Sequence, residues 1–333
     1  MLYHPAILSL LVGSALTSLM LVYSAYYGVL LLRRWDLESG SELQLSLERR
    51  TYLVSTVLNY VFGFQLLSLF LFIYTADRIH TSFVGAMCAA GTLNVNGYGY
   101  PALILKCVNF LLAGQWLILN AADNRGYDYP LIRKKYLLLL GITPFFLAEA
   151  AVQTLFFLNL KPDVITSCCG ALFSFERRGV PEGVASLPKL PLIAGFYLGM
   201  AVCLAAGLLY WARGKGAYLF SAASTAAFLL SAAALVSVIG LYIYEMPSHR
   251  CPFCIIQREY GHVGYLLYLG LLGGGVTGGG VGLLMPFREI RSIRGAVPEM
   301  QRRLALASVL FYASFVLLST WEILTSNFRL GLL

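Results

Sequence analysis

The sequence predicts an all-α, polytopic transmembrane bundle of about eight helices, with both termini extracytoplasmic. Three observations predict the helical membrane class. Hydrophobic residues make up 59% of the 333-residue chain and charged residues only 12%, about half the share found in a soluble domain. The mean hydropathy is +0.74. The apolar residues also fall in runs of roughly 20 or more, long enough to cross about 30 Å of hydrocarbon as helices.

The first run, Ala6–Leu32, is too long for the apolar core of a signal peptide and is followed at once by Arg33 and Arg34, so it reads as a span. Tyr52–Thr75 follows. Tyr100–Asn120 and Tyr136–Leu160 come next and carry Lys106 and Glu149, ionisable residues inside apolar runs. Pro191–Trp211 and Tyr218–Tyr244 flank a short loop with Arg213 and Lys215. Ile255–Met285 starts beside a C-x-x-C pair, and Leu304–Thr325 closes the series. No soluble domain, low-complexity tail or lipidation motif is visible.

The formal charge of +8 invites a nucleic-acid reading. The basic residues sit in short loops between apolar runs, however, and the positive-inside bias explains them better. Loops after the first, third, fifth and seventh spans hold Arg33, Arg34, Arg49, Arg50, Arg125, Arg133, Lys134, Lys135, Arg213, Lys215, Arg288, Arg291, Arg294, Arg302 and Arg303, which is 15 of the 24 Lys and Arg residues. The opposite side has 8: Arg78, Lys161, Arg177, Arg178, Lys189, Arg250, Arg258 and Arg329. That split places the first set in the cytoplasm.

This topology sorts the seven cysteines. Cys107 and Cys203 fall inside spans, where a cysteine behaves as a small apolar residue. Cys88, Cys168, Cys169, Cys251 and Cys254 all fall on or near the outer face, the side on which disulfides persist. Two readings compete. In one, disulfides pin the outer loops, with Cys88 paired to Cys168 or Cys169. In the other the cysteines form a redox relay, and "CPFC" at the start of a helix favours it. The amides of a helix N-terminus stabilise thiolate and speed exchange. Cys251 is expected to stay accessible, with Cys254 one turn deeper. Arg258, at i+4 from Cys254, is expected on the same helix face, where its guanidinium favours thiolate and can hydrogen-bond a quinone carbonyl. The competing view is an arginine that snorkels to lipid phosphate.

"CPFCIIQRE" resembles the C-x-x-C-x-x-Q-R signature of the disulfide bond formation protein B (DsbB) family of quinone-linked thiol oxidases, to which the vitamin K epoxide reductases are related. The resemblance covers about Tyr218 to Met285 and implies a C-terminal three-helix unit over 216–333, beside a five-helix region over 1–215 that carries the outer-loop cysteines. It implies that Cys251 exchanges with a loop disulfide, that Cys254 faces ubiquinone or menaquinone, and that Arg258 contacts the quinone. Gln257 matches the signature without an assigned role. The family's second cysteine pair follows the motif, whereas here Cys254 is the last cysteine and the candidates lie upstream.

Cys168 and Cys169 are adjacent, and a vicinal disulfide would strain the peptide between them. Three soft ligands plus a C-x-x-C are also a donor set for Cu(I) or Zn. No histidine is spaced beside them, and His80 lies in a different loop. Lys106 and Glu149 are expected at different depths. Charge there is costly and is usually paired or functional, so Glu149 reads either as a proton carrier or as a structural contact. His262 is expected on the Arg258 face, as a proton relay or an ordinary interfacial histidine. "GGGVTGGGVG", Gly273 to Gly282, looks like a nucleotide loop but lies within an apolar run, so close helix packing explains it better.

The function expected from these residues is electron exchange between extracytoplasmic thiols and membrane quinone in a bacterial inner membrane. No thioredoxin-like domain is present, so the thiol partner comes in trans. The rivals are a non-enzymatic subunit of a larger membrane complex and a thiophilic-metal transporter.

Overall fold

A computed structural model describes residues 3–36, 41–162, 164–166, 188–246, 249 and 251–329. Among them every regular element is helical and none is a strand. Eight helices are long and apolar enough to cross a membrane, as the sequence predicts. The long helices are α1 Pro5–Arg34, α2 Glu42–Arg78, α4 Gly99–Asp123, α5 Ile132–Leu158, α6 Lys189–Arg213, α7 Ala217–Ala234, α8 Val263–Leu283 and α9 Ala296–Thr325, and the short α3 is Ala89–Leu93. α7 runs on through a π-turn, Leu235–Ile239, and a last turn, Gly240–Tyr244.

The helices fall into two compact units. The first comprises Met1–Thr75, Val95–Lys161 and Pro286–Val297; the second comprises Ala76–Asn94, Pro162–Met285 and Pro298–Leu333. Four long helices belong mainly to each, so the grouping differs from the expected five and three. α6 joins the second unit because it packs as a hairpin on α7. Gly214 (φ 67°) and Gly216 (φ 88°) take left-handed backbone on either side of Lys215, a conformation that costs glycine little. Along α6, Gly207 lies against Phe220 of α7 and Val309 of α9.

In the first unit Phe62 packs against Trp116 and Phe146, with ring centroids 4.8 and 5.3 Å apart. Two buried ion pairs accompany this aromatic core. Lys106 Nζ lies 2.7 Å from Glu149 Oε1 and donates to Ser68 Oγ at 2.6 Å. The other carboxylate oxygen accepts from Asn109 Nδ2 at 2.5 Å and from Gln65 Nε2. Lys135 Nζ pairs with Asp123 Oδ2 at 2.6 Å and donates to Asn120 Oδ1 and Ser55 Oγ. Lys106 and Glu149 are therefore level, not at different depths. Lys106 is 17 residues (123 − 106) before the end of α4, and Glu149 is 17 residues (149 − 132) after the start of α5. An antiparallel hairpin sets such positions side by side.

In the second unit the glycine stripe of α8 is a packing surface. A Cβ at Gly274 would stand 2.7 Å from the Tyr312 ring, and one at Gly278 would run into Ser224 and Ser308. The close approach lets Ser308 Oγ donate to the Gly274 carbonyl at 3.0 Å, and Tyr312 OH to that of Ser224 at 2.9 Å. Among the described residues no strand precedes the glycines, which lie inside the helix α8, and this removes the nucleotide-loop reading. Gly278→Leu should cost about 1–3 kcal/mol through overpacking, read as a lower thermal midpoint in detergent. Gly63→Ala in α2, where a Cβ meets nothing within 4 Å, should leave the midpoint level or raise it.

Candidate thiol centre

The second unit brings together three cysteines from two distant stretches of chain. Cys88 precedes α3, with extended backbone (φ −160°, ψ −177°), while Cys251 and Cys254 bracket the turn after Tyr244. The three sulfurs lie within 4.8 Å of one another. Cys88 Sγ is 3.5 Å from Cys251 Sγ, outside the bonding distance of about 2.05 Å. Relative exposures are 0% for Cys88, 2% for Cys251 and 6% for Cys254. The expected accessibility of Cys251 is thus corrected: the residue is buried.

Local hydrogen bonds hold this geometry. The Tyr244 hydroxyl accepts from Ile255 N–H at 3.0 Å and donates to the Cys251 carbonyl. Tyr268 OH donates to the Pro252 carbonyl. Both ends of the C-P-F-C turn are therefore braced by tyrosines on α8 and at the end of α7. On the other side, Thr92 Oγ1 donates to the Ala76 carbonyl at 2.8 Å. Gly85 (φ 82°) brings the loop before Cys88 against Thr166. Thr166 N–H then donates to Val84 O at 2.9 Å, and its hydroxyl to Gly91 O at 2.8 Å.

Gln257 joins the two sides. Its Nε2 donates to Asp77 Oδ1 at 3.1 Å and to the Met87 carbonyl at 2.9 Å. This assigns a role to the one signature residue that had none: it ties the segment after Cys254 to the residue before Cys88. Gln257→Ala should loosen Cys88 by about 0.5–1.5 kcal/mol, the net worth of a hydrogen bond that water can partly replace. The measurement is the alkylation rate of Cys88 in the reduced protein, which should rise, while Gln257→Glu should also fail because it repels Asp77.

Three expectations about this segment are corrected. Cys254 does not open a transmembrane helix: Cys254–Ile256 and Arg258–Tyr260 are single 3₁₀ turns, and α8 begins only at Val263. Left-handed backbone at Gly261 (φ 62°) and His262 (φ 57°) breaks the run. Because Gln257 is extended (ψ 161°) between the two turns, the i,i+4 rule does not apply, and Arg258 shares no helix face with Cys254. Arg258 is exposed. His262 is also exposed, and its ring Nδ1 lies 2.6 Å from the Ile256 carbonyl, so it ties its own turn. Cys88 sits beside Cys251; its expected partners Cys168 and Cys169 lie outside the described residues. Cys107 and Cys203 lie within α4 and α6, outside the sulfur group.

The electrostatics single out Cys251. Hydrogen bonds from the Cys254 thiol and then the Cys88 thiol hold its pKa well below the ordinary thiol range, against the opposing effect of burial, with the Phe253 and Cys254 amides assisting. Cys254 is pushed up by its thiol bond to Cys251, then by Cys88 and by burial. The thiolate follows from a cluster of sulfur and amide donors, not from the helix dipole. Around it stand Tyr244, His249 and Tyr260, whose rings meet edge to face, with His249 and Tyr260 4.3 and 4.9 Å from Tyr244. Burial lowers the pKa of His249.

Sequence reasoning missed Tyr244, Tyr268 and Asp77. With 21 tyrosines in the chain, nothing local marks two as turn braces, and Asp77 acquires its role only through Gln257, 180 residues away. No protein-family model, curated protein or solved structure matches the chain.

Proposed function

We propose that the chain is a membrane thiol–disulfide oxidoreductase whose Cys88, Cys251 and Cys254 exchange electrons with an extracytoplasmic thiol protein supplied in trans, with membrane quinone as the other redox partner. The observation that carries this reading is a thiolate-favouring Cys251 flanked by two sulfurs within 4.8 Å. Thiolate is the attacking species in disulfide exchange. In the reduced cluster that thiolate is Cys251. Once Cys88 and Cys251 are joined, no free Cys251 sulfur remains to push the Cys254 thiol up, and the Cys254 sulfur attacks Cys251. The 88–251 bond breaks, the 251–254 bond forms, and the proton lost by Cys254 goes to Cys88. This exchange leaves the oxidation level unchanged. Reduction follows when a substrate dithiol gives up two electrons and two protons and becomes a disulfide, leaving both cysteines as thiols.

Quinone, ubiquinone or menaquinone, rests on the motif alone. Arg258, which the motif assigns to quinone, is exposed; Gln257 is bonded to Asp77 and Met87, and the candidate proton relay His262 is tied to Ile256, so these three residues do not form a contact set here. The charge split supports an extracytoplasmic centre, and the motif's family supports a bacterial inner membrane, where that side is periplasmic; a place in a larger membrane complex is compatible with the same chemistry.

The test is thiol trapping with mass mapping of the purified, reduced protein, with and without a ubiquinone analogue. A disulfide that contains Cys251 should appear only with quinone. The appearance of none would end the redox reading. Impermeant thiol reagents applied to intact cells after reduction should label Cys251. Labelling only after the inner membrane is opened would invert the orientation.

A further inference from the structure

We infer that the fully reduced triad of Cys88, Cys251 and Cys254 is also a three-sulfur binding site for a trivalent metalloid of the arsenite class. The donor set is sulfur alone. Among the described residues, the group that could hold an ion contains Cys88, Cys251 and Cys254, with no histidine or carboxylate, and thiolates select soft centres. The sulfurs are already gathered within 4.8 Å. Tyr244, Tyr268, Gln257 and Thr166 brace the segments that carry them, so little ordering remains to be done on binding.

Net charge then chooses among soft centres. All three cysteines are buried, so any net charge left on the bound complex is poorly solvated. Three thiolates around Cu(I) carry two negative charges, and around Zn(II) one. Buried uncompensated charge is costly, and zinc further asks for a fourth ligand. Three thiolates around trivalent arsenic are neutral. The reaction balances without an oxidant: arsenous acid, As(OH)₃, loses three hydroxyls, the three thiols lose three protons, three As–S bonds form and three waters leave. Arsenous acid is itself small and uncharged near neutral pH, which suits entry to an apolar site.

The experiment titrates the reduced full-length protein with arsenite in a Cys168→Ser/Cys169→Ser background. Bound arsenic is measured by mass spectrometry after desalting, and coordination by X-ray absorption. One arsenic per chain with three sulfur neighbours is expected, together with protection of Cys88, Cys251 and Cys254 from alkylation. Cys88→Ser should weaken binding by about a hundredfold, because the third sulfur acts at the effective concentration of a tethered ligand. Unchanged affinity in Cys88→Ser would mean a simple C-x-x-C chelate and overturn the inference, as would retention of Cu(I) or Zn(II) in preference to arsenite. Quinone-dependent disulfide formation is measured on arsenic-free protein, so either reading can fail while the other holds.

Discussion

Cys251→Ser is expected to bring quinone-linked oxidation of a dithiol to the background rate, whereas Cys107→Ser and Cys203→Ser should leave it unchanged. Cys251 is the sulfur shared by both exchange partners: it lies 3.5 Å from Cys88 and receives hydrogen bonds from Cys254 and Cys88. Serine keeps the size but removes the nucleophile and the central atom of both disulfides. Cys254→Ser should also stop turnover, because no 251–254 bond can form. The pH dependence follows from the sign of the shift. The folded thiol is depressed, so Cys251 should alkylate well below the pH of about 8.5 at which an ordinary cysteine is half ionised. Burial makes that alkylation wait on an opening of the turn, so Tyr244→Phe should accelerate it. If the cysteines are only loop staples of a non-enzymatic subunit, every one of these variants alters stability alone. Full turnover in Cys251→Ser would settle the matter that way.

The second large effect belongs to the first unit. Glu149→Gln and Lys106→Met are each expected to destabilise the protein by about 3–5 kcal/mol, because each leaves its partner as an uncompensated buried charge. The pair is buried, at 1% for Glu149 and 2% for Lys106. Losing the carboxylate also strands Gln65 and Asn109, which now donate to it. The double variant Lys106→Met/Glu149→Leu should cost much less than the sum, since it removes both charges together. Thermal unfolding in detergent reads the outcome. Single costs below about 1 kcal/mol, with an additive double, would show that the pair is not coupled and return Glu149 to the role of a lone polar group in a membrane span.

Arg258 shows where sequence reasoning stopped. Its position four residues after Cys254 implies a shared face only if the segment is α-helical, and the extended Gln257 together with left-handed Gly261 and His262 makes it otherwise. The same reasoning succeeded for the glycines of α8. There the segment really is one helix, so spacing along the chain translates into one packed face. The cysteine cluster falls between these cases. Charge counting gathered Cys88, Cys251 and Cys254 on one face of the membrane, but nothing short-range could show that 163 residues of separation close to 3.5 Å.

The eight spans were determined by the sequence alone, because whether a segment can cross hydrocarbon depends on its own length and apolarity, with the bilayer as a fixed reference. The grouping of those spans into units, the level meeting of Lys106 with Glu149, the brace formed by Gln257 and the gathering of three sulfurs were decided only by the tertiary structure. Each is a pairing between residues remote in sequence, and in a membrane all the helices are comparably apolar. Partner choice therefore passes to close packing and a few polar contacts, such as the glycines of α8 against Ser224 and Tyr312, whose complementarity exists only once both surfaces are formed.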